Sequence, residues 1–338
     1  MFQLVNDTPF PSQLGLFTDH EGHSTASVVL KATLAIAAND GICRPAPRQL
    51  PVLHASTYVG EVGRSSIRYP ADLVPIKPRT DVVFVGHAYT PGRRALTEIA
   101  AYLEVGAVRK TMTVVGDRQW VRTRLGAVMS RPVPFVRMPI IYERAYGGQP
   151  PSQWDRDDPG LDPRNPVGTG YCATRSDVHQ MPLPNLEDPG DRIQSWRQRP
   201  PVVGLGAVDA HWMPRRQRAG TYDRTWRAQR CPILPRDFDP RFHCVAGEGL
   251  QSSAPMRGEL GVTLVHLAVQ PVLRFRLPGT RVGMDFHVEG DLVQRRAQLW
   301  TVVIEPDELR VMMVWGASCW IGKRPAGLHQ VELEVEWA

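Results

Sequence analysis

The residues best equipped for chemistry crowd into one stretch: Trp212, Arg215, Arg216, Arg218, Tyr222, Arg224, Trp226, Arg227 and Arg230. A guanidinium group grips carboxylate or phosphate through two parallel hydrogen bonds and stacks on aromatic faces. Rings interleaved with arginine suit a single-stranded nucleic acid, whose bases stack on them. They equally suit a protein surface, where Trp, Tyr and Arg supply most of the binding energy. A solvated helix with two anchoring aromatics is the simplest reading. Of the two functional ones, a protein partner stands above nucleic acid. Arg215, Arg218, Trp226 and Arg230 are the expected contacts.

A second group lies upstream. His87 follows Gly86 in a strand-like run near Lys77 and Asp81. A histidine beside a carboxylate is the usual general base, so His87 with Asp81 makes hydrolysis conceivable. No Ser or Cys nucleophile stands near them in sequence. A histidine satisfied at the core or rim is the simpler reading. Lys77 and His87 are therefore placed with the partner-binding residues, and no catalytic residue is expected.

Other patterns carry less. The chain contains no G-x-S-x-G, H-E-x-x-H or EF-hand loop. Gly316 to Arg324, GASCWIGKR, superficially resembles a phosphate loop, but Arg324 replaces the hydroxyl residue that would hold magnesium. Gly204-Leu205-Gly206 lacks the third glycine of a dinucleotide fingerprint. Cys231, His243 and Cys244, with His211 upstream, form the only tight metal-ligand group. Adjacent residues on a strand face opposite ways, so His243 and Cys244 do not readily share an ion. No metal or cofactor is expected.

The bulk composition bounds the rest. With 338 residues the chain builds a core without staples. Its 42% hydrophobic and 22% charged residues are a globular balance. The 29 glycines and 31 prolines argue for many turns and against a helical bundle. The net charge is +6, nearly all of it arginine. Five scattered cysteines without a C-x-x-C pair are not a disulfide framework. The N-terminus has no signal-peptide pattern, and no apolar run is long enough to span a bilayer. A cytoplasmic location, with no membrane partner, is expected.

The elements that would position these residues read as mainly β. Residues 1–146 hold strand-like runs at Ser27–Ile36, Asp81–Tyr89, Ala101–Val105 and Lys110–Val115, the last two forming a hairpin. Residues 147–203 are a Pro-rich irregular arm, and Trp154, Tyr171 and Trp196 favour a packed arm over a disordered linker. Residues 204–338 carry a short helix near 219–231, with Thr221 as cap and Cys231-Pro232 as stop. Five further strands follow between Gly261 and Trp315 at turn-bounded spacing. Antiparallel sandwich- or barrel-like sheets in two β-rich regions are expected, as separate units or one continuous domain.

Several strings together carry a resemblance. They include Asn6-Asp7-Thr8-Pro9-Phe10, Val28 to Thr33, Ala71 to Pro78, Val115-Gly116-Asp117-Arg118 and Tyr142-Glu143-Arg144-Ala145-Tyr146-Gly147-Gly148. Later come Arg164-Asn165-Pro166-Val167-Gly168, Leu183-Pro184-Asn185-Leu186-Glu187, Ala219 to Asp223 with Trp226, and Leu234 to Phe238. In this order they resemble the family catalogued as domain of unknown function 2169, from the first residues to about residue 320. The resemblance implies a bacterial type VI secretion adaptor or chaperone without enzymatic activity. Such a protein binds a secreted effector, a toxin, and helps it join the spike protein. Small molecules and nucleic acid are not the implied partners.

Overall fold

Strand Ser24–Ala35 is buried at nearly every position. Its alternation of β-branched and small residues is masked because both faces are covered. Val28, Leu30, Ala32 and Leu34 enter the main core. Val29, on the opposite face, packs with Trp300 and Val314 beneath Val52, Leu73 and Val74. The structure, a computed structural model, describes residues 2–124, 126–150, 160–322 and 325–337.

The protein is mainly β, with several mostly antiparallel sheets and, among the described residues, one α-helix and no closed barrel. The largest sheet runs in the order Ser12–Thr18, Ser24–Ala35, Arg310–Trp320, Gln298–Glu305, Asp81–Phe84, and Arg44–Pro45 pairs with the second of these. A five-stranded sheet orders Leu186–Glu187, Val108–Val115, Glu98–Val105, Leu260–Val265 and Val272–Leu277. A four-stranded sheet orders Gln3–Asn6, Leu328–Glu336, Arg281–Val288 and Asp291–Arg296. Each of these three sheets thus mixes strands from both β-rich regions. Side chains from all three sheets share one core, including Leu30, Leu103, Val262, Phe286 and Val303.

The arm is packed where it is described. Tyr146, Cys172, Val178, Met181, Leu183 and Ile193 bury against Trp120, with Tyr171 and Trp196 alongside. Trp154 lies outside the described residues. Asn165 donates to the carbonyls of Tyr142 and Tyr146 at 2.8 and 3.1 Å. Gly147, at φ +144°, leaves no room for a side chain: a Cβ there would stand 2.2 Å from the Asn165 carbonyl oxygen. Arg118, almost fully buried, ion-pairs with Glu187 at 2.6 Å. Four of the strings that carried the resemblance, at 115–118, 142–148, 164–168 and 183–187, therefore fasten this arm.

One buried pair organises the junction of the two β regions. Lys77 Nζ lies 2.6 Å from Asp81 Oδ2 with both side chains essentially excluded from water, and it donates to Thr301 Oγ1 at 2.7 Å. Asp81 also accepts from the Val245 and Ala246 amides at 2.8 and 3.1 Å. The sequence reading placed Lys77 at a partner surface. The fold puts it inside, because its aliphatic stem and charge are both satisfied there. Removing one partner strands a buried charge, which typically costs about 3–5 kcal/mol. Asp81→Ala is accordingly expected to lose stability on that scale in urea unfolding, more than substitution of any exposed arginine.

Candidate interaction surface

The segment 211–243 departs from the sheets as a knob of turns and short helices. Its eight arginines face three aspartates and no glutamate between His211 and Arg241, so it holds five of the chain's six net positive charges. Its single α-helix spans Arg224–Gln229. The cap is Asp223, which accepts from the Trp226 amide at 2.7 Å. Thr221, the expected cap, instead bonds Asp237 through its amide and hydroxyl. The helix stops before Cys231-Pro232, as the missing amide of proline requires.

The arginines divide by what they touch. Arg215 is spent internally: it donates to the carbonyls of Phe242 and Val208, each at 2.8 Å, and lies over the Phe242 ring. Burial pushes its guanidinium pKa below the ordinary value, against the favourable charges of Asp81 and Asp209. Arg230 donates to the Leu234 carbonyl at 2.5 Å and to the His20 carbonyl, pinning the knob to the turn before strand Ser24–Ala35. Arg218 is half-buried near Asp239. Trp226 is half-buried too. Its indole N–H bonds the Ile233 carbonyl at 2.8 Å, and its ring meets Tyr222 edge-on at 4.6 Å. Trp212 is core, edge-on to Tyr142.

The surface-facing members are Arg216, Arg224, Arg227 and Arg236, all exposed, with Tyr222 half exposed among them. None of these four arginines forms an ion pair with a described residue. Spacing held part of this signal, since Arg224 and Arg227 lie three apart on a helix and share a face. Arg236 was missed because its position depends on the chain's return after Pro232.

His87 sits half-buried on the rim of the fold. Its Nδ1 lies 2.6 Å from Asp307 Oδ2 and 2.9 Å from an Arg137 guanidinium nitrogen. Tyr89 donates to Asp307 Oδ1 at 2.8 Å, and Arg137 stands 3.7 Å from Oδ2. Burial opposes ionisation of Asp307, but the His87 and Tyr89 hydrogen bonds outweigh it and hold the carboxyl pKa low. The carboxylate of His87 is therefore Asp307. Asp81, the partner suggested by sequence, is engaged with Lys77.

The remaining motifs resolve as packing. Gly316 lies within strand Arg310–Trp320, and a Cβ there would meet the Trp300 ring at 2.3 Å. The Lys323-Arg324 end of that string lies outside the described residues. Cys244 is buried while Cys231 is exposed, and all five cysteines are unpaired. Among the described residues no cluster of three or more His, Cys, Asp or Glu side chains is placed to hold a metal ion. No described helix is long and apolar enough to cross a membrane.

The fold and this surface define a β-sheet protein that presents a basic, aromatic projection. Residues 21–316 match the model of a family described as an uncharacterized protein conserved in bacteria (DUF2169), and the chain belongs to that family. No curated protein and no solved structure matches the chain.

His243, packed against Phe238 and Phe242, has its pKa lowered to about 4, first by burial and then by the charges of Arg215 and Lys77. The unfolded chain therefore binds a proton on this residue at a pH where the folded protein does not. Its contribution is intact above the ordinary histidine pKa of about 6.5. It is lost as pH falls from there towards about 4. His243→Gln is expected to flatten the fall in thermal midpoint across that window. Within the knob, Arg215→Ala is expected to cost about 1–3 kcal/mol, because two part-buried carbonyls lose their donor. Arg224→Ala should stay within about 0.5 kcal/mol.

Proposed function

We propose that this protein is an adaptor of a type VI secretion system, binding a toxic effector and promoting its loading onto the spike. It acts by recognition and not by turnover, in the cytoplasm before secretion. The observation that carries the reading is the knob. The segment carries four exposed arginines without carboxylate partners among the described residues, together with Tyr222, and Trp226, Arg215 and Arg230 are tied down beside them by bonds to backbone carbonyls. Aromatic anchors and unpaired guanidinium groups on one segment favour a protein partner bearing carboxylates. The sequence resemblance to secretion-associated adaptors supplies the biological setting.

The division among the arginines also sets roles. Arg216, Arg224, Arg227 and Arg236 would meet the partner directly. Arg215, Arg230 and Trp226 would position them. Electrostatic matching of this kind raises the association rate and selects partners more than it adds affinity.

A nucleic-acid role draws on the same residues. It is separated by salt, since each phosphate contact steepens the fall of affinity with ionic strength.

Co-expression of the protein with the products of neighbouring genes, followed by size-exclusion chromatography, tests the proposal. A stable complex with an effector is expected. Charge reversal at Arg224 and Arg227 together should weaken that complex at least about tenfold and abolish effector secretion, with the thermal midpoint unchanged. Absence of any co-eluting effector, or tight salt-sensitive binding of a single-stranded oligonucleotide instead, would sink it.

A further inference from the structure

The apolar surface of this protein is concentrated away from the knob. Leu96, Val128, Met129, Val133 and Val136 are five of the sixteen large hydrophobic side chains exposed among the described residues. They lie along one course of backbone, with Val128 and Met129 on opposite faces of their strand. Trp120–Thr123 pairs antiparallel with Gly126–Met129, matching Trp120 to Met129 and Val121 to Val128. The chain continues with Val133 N–H bonded to the Asp117 carbonyl. Phe135 then exchanges two backbone bonds with Leu96, and Val136 accepts from the Thr90 amide.

Among the described residues, one main-chain edge here is bare. The inner edge of Trp120–Thr123 is taken by the arm, since Trp120 N–H bonds the Met181 carbonyl and the Gln180 amide bonds Trp120. Gly126–Met129 pairs with no other described strand. The Ser130 amide donates inward to the Gln119 carbonyl. Strand alternation then turns the Met129 amide outward. Protein edges are usually blunted by proline, charge or cover. Here Pro132 and Pro134 stop pairing only beyond Ser130, so a short length of edge stays open.

Charge names the occupant. Arg93, Arg94, Arg122, Arg124 and Arg131 are exposed along this course, and none forms an ion pair with a described residue. A cleft of about 530 Å3 opens beside it, lined by Gln119, Ser130, Val133 and Leu183 among others. The arginines of that cleft are already engaged, Arg118 with Glu187 and Arg144 with Asp117.

We infer that the edge Gly126–Met129 is a second docking site, which accepts an extended, acidic and apolar segment of a partner polypeptide as an added strand. Main-chain bonds to the open edge would hold the segment. Its apolar side chains would cover Val128 and Val133, and its carboxylates would meet the flanking arginines. This site is separate from the knob and stands or falls independently of the secretion reading.

The test uses the full chain and a fluorescein-labelled synthetic peptide of about ten residues, a strand's length, alternating Glu and Val. Fluorescence anisotropy is expected to show saturable binding. A peptide of the same length with proline at every other valine should lose at least about tenfold in affinity, because it lacks the main-chain donors. Lys in place of Glu should abolish binding. Val128→Glu, at an exposed position, should weaken the Glu-Val peptide at least about tenfold with an unchanged thermal midpoint. Met129→Pro should do the same by removing the outward amide. Charge reversal at Arg224 and Arg227 should leave this binding intact. Equal affinity for the proline peptide, or unaltered binding by both edge variants, overturns the inference. So does binding of anionic phosphatidylserine vesicles or single-stranded DNA in place of the peptide. A concentration-dependent dimer lost in Val128→Glu, with no peptide binding, also overturns it, in favour of a second copy.

Discussion

A buried charge with several fixed partners constrains more of this fold than any apolar contact does. The Asp81 carboxylate sits against the Lys77 ammonium and accepts from two amides more than 160 residues away in the chain. A lone charge in that position would be far too costly to bury, so strand Asp81–Phe84 and the segment at 245–246 must come together or not form. Thr80 extends the junction. Its hydroxyl donates to the Leu299 carbonyl at 2.5 Å and accepts from the Met256 amide at 2.8 Å. Lys31 with Asp72, at 2.8 Å, repeats the device beneath the long loop that covers the back of the largest sheet.

The arm follows the same logic with fewer charges. It has few regular elements of its own, so its backbone groups must find partners elsewhere. The Thr169, Leu183 and Asn185 amides donate to the carbonyls of Ala145, Arg118 and Arg144, and the side chains of Asn165 and Asn185 reach back to the carbonyls of Tyr142, Tyr146 and Val115. Glycine permits the approach where chains nearly touch. Gly116 faces the Val133 carbonyl at a distance no Cβ could occupy. That contact also sets the course of the apolar strip from Val133 to Val136, so the arm's fastening and the second docking surface share one piece of backbone.

A division of labour among arginines runs through the surface. Some serve as scaffolding: Arg118 and Arg215 are turned to carboxylate or carbonyl partners inside the fold. Others stand free on two separate faces, the knob and the strip. A planar guanidinium with five donors serves both roles, which a lysine ammonium would not. The high arginine content is therefore partly architecture, and only the unpaired fraction bears on partners.

What the sequence determined by itself was local. Alternation and β-branching located most of the long strands, and Cys231-Pro232 located the end of the helix, because these are properties of neighbouring residues. Tyr171 and Trp196 pointed correctly to a packed arm, since aromatic side chains seek burial. The tertiary structure decided everything that depends on distant partners. It moved Lys77 and Trp212 into the interior, gave His87 the carboxylate of Asp307 instead of Asp81, and separated Arg215 and Arg230 from the arginines that face solvent. It also interleaved the two β regions in shared sheets. Composition along a chain records which groups are present. Which of them neutralise one another depends on contacts across hundreds of residues, and that is why the free surface was only half legible beforehand.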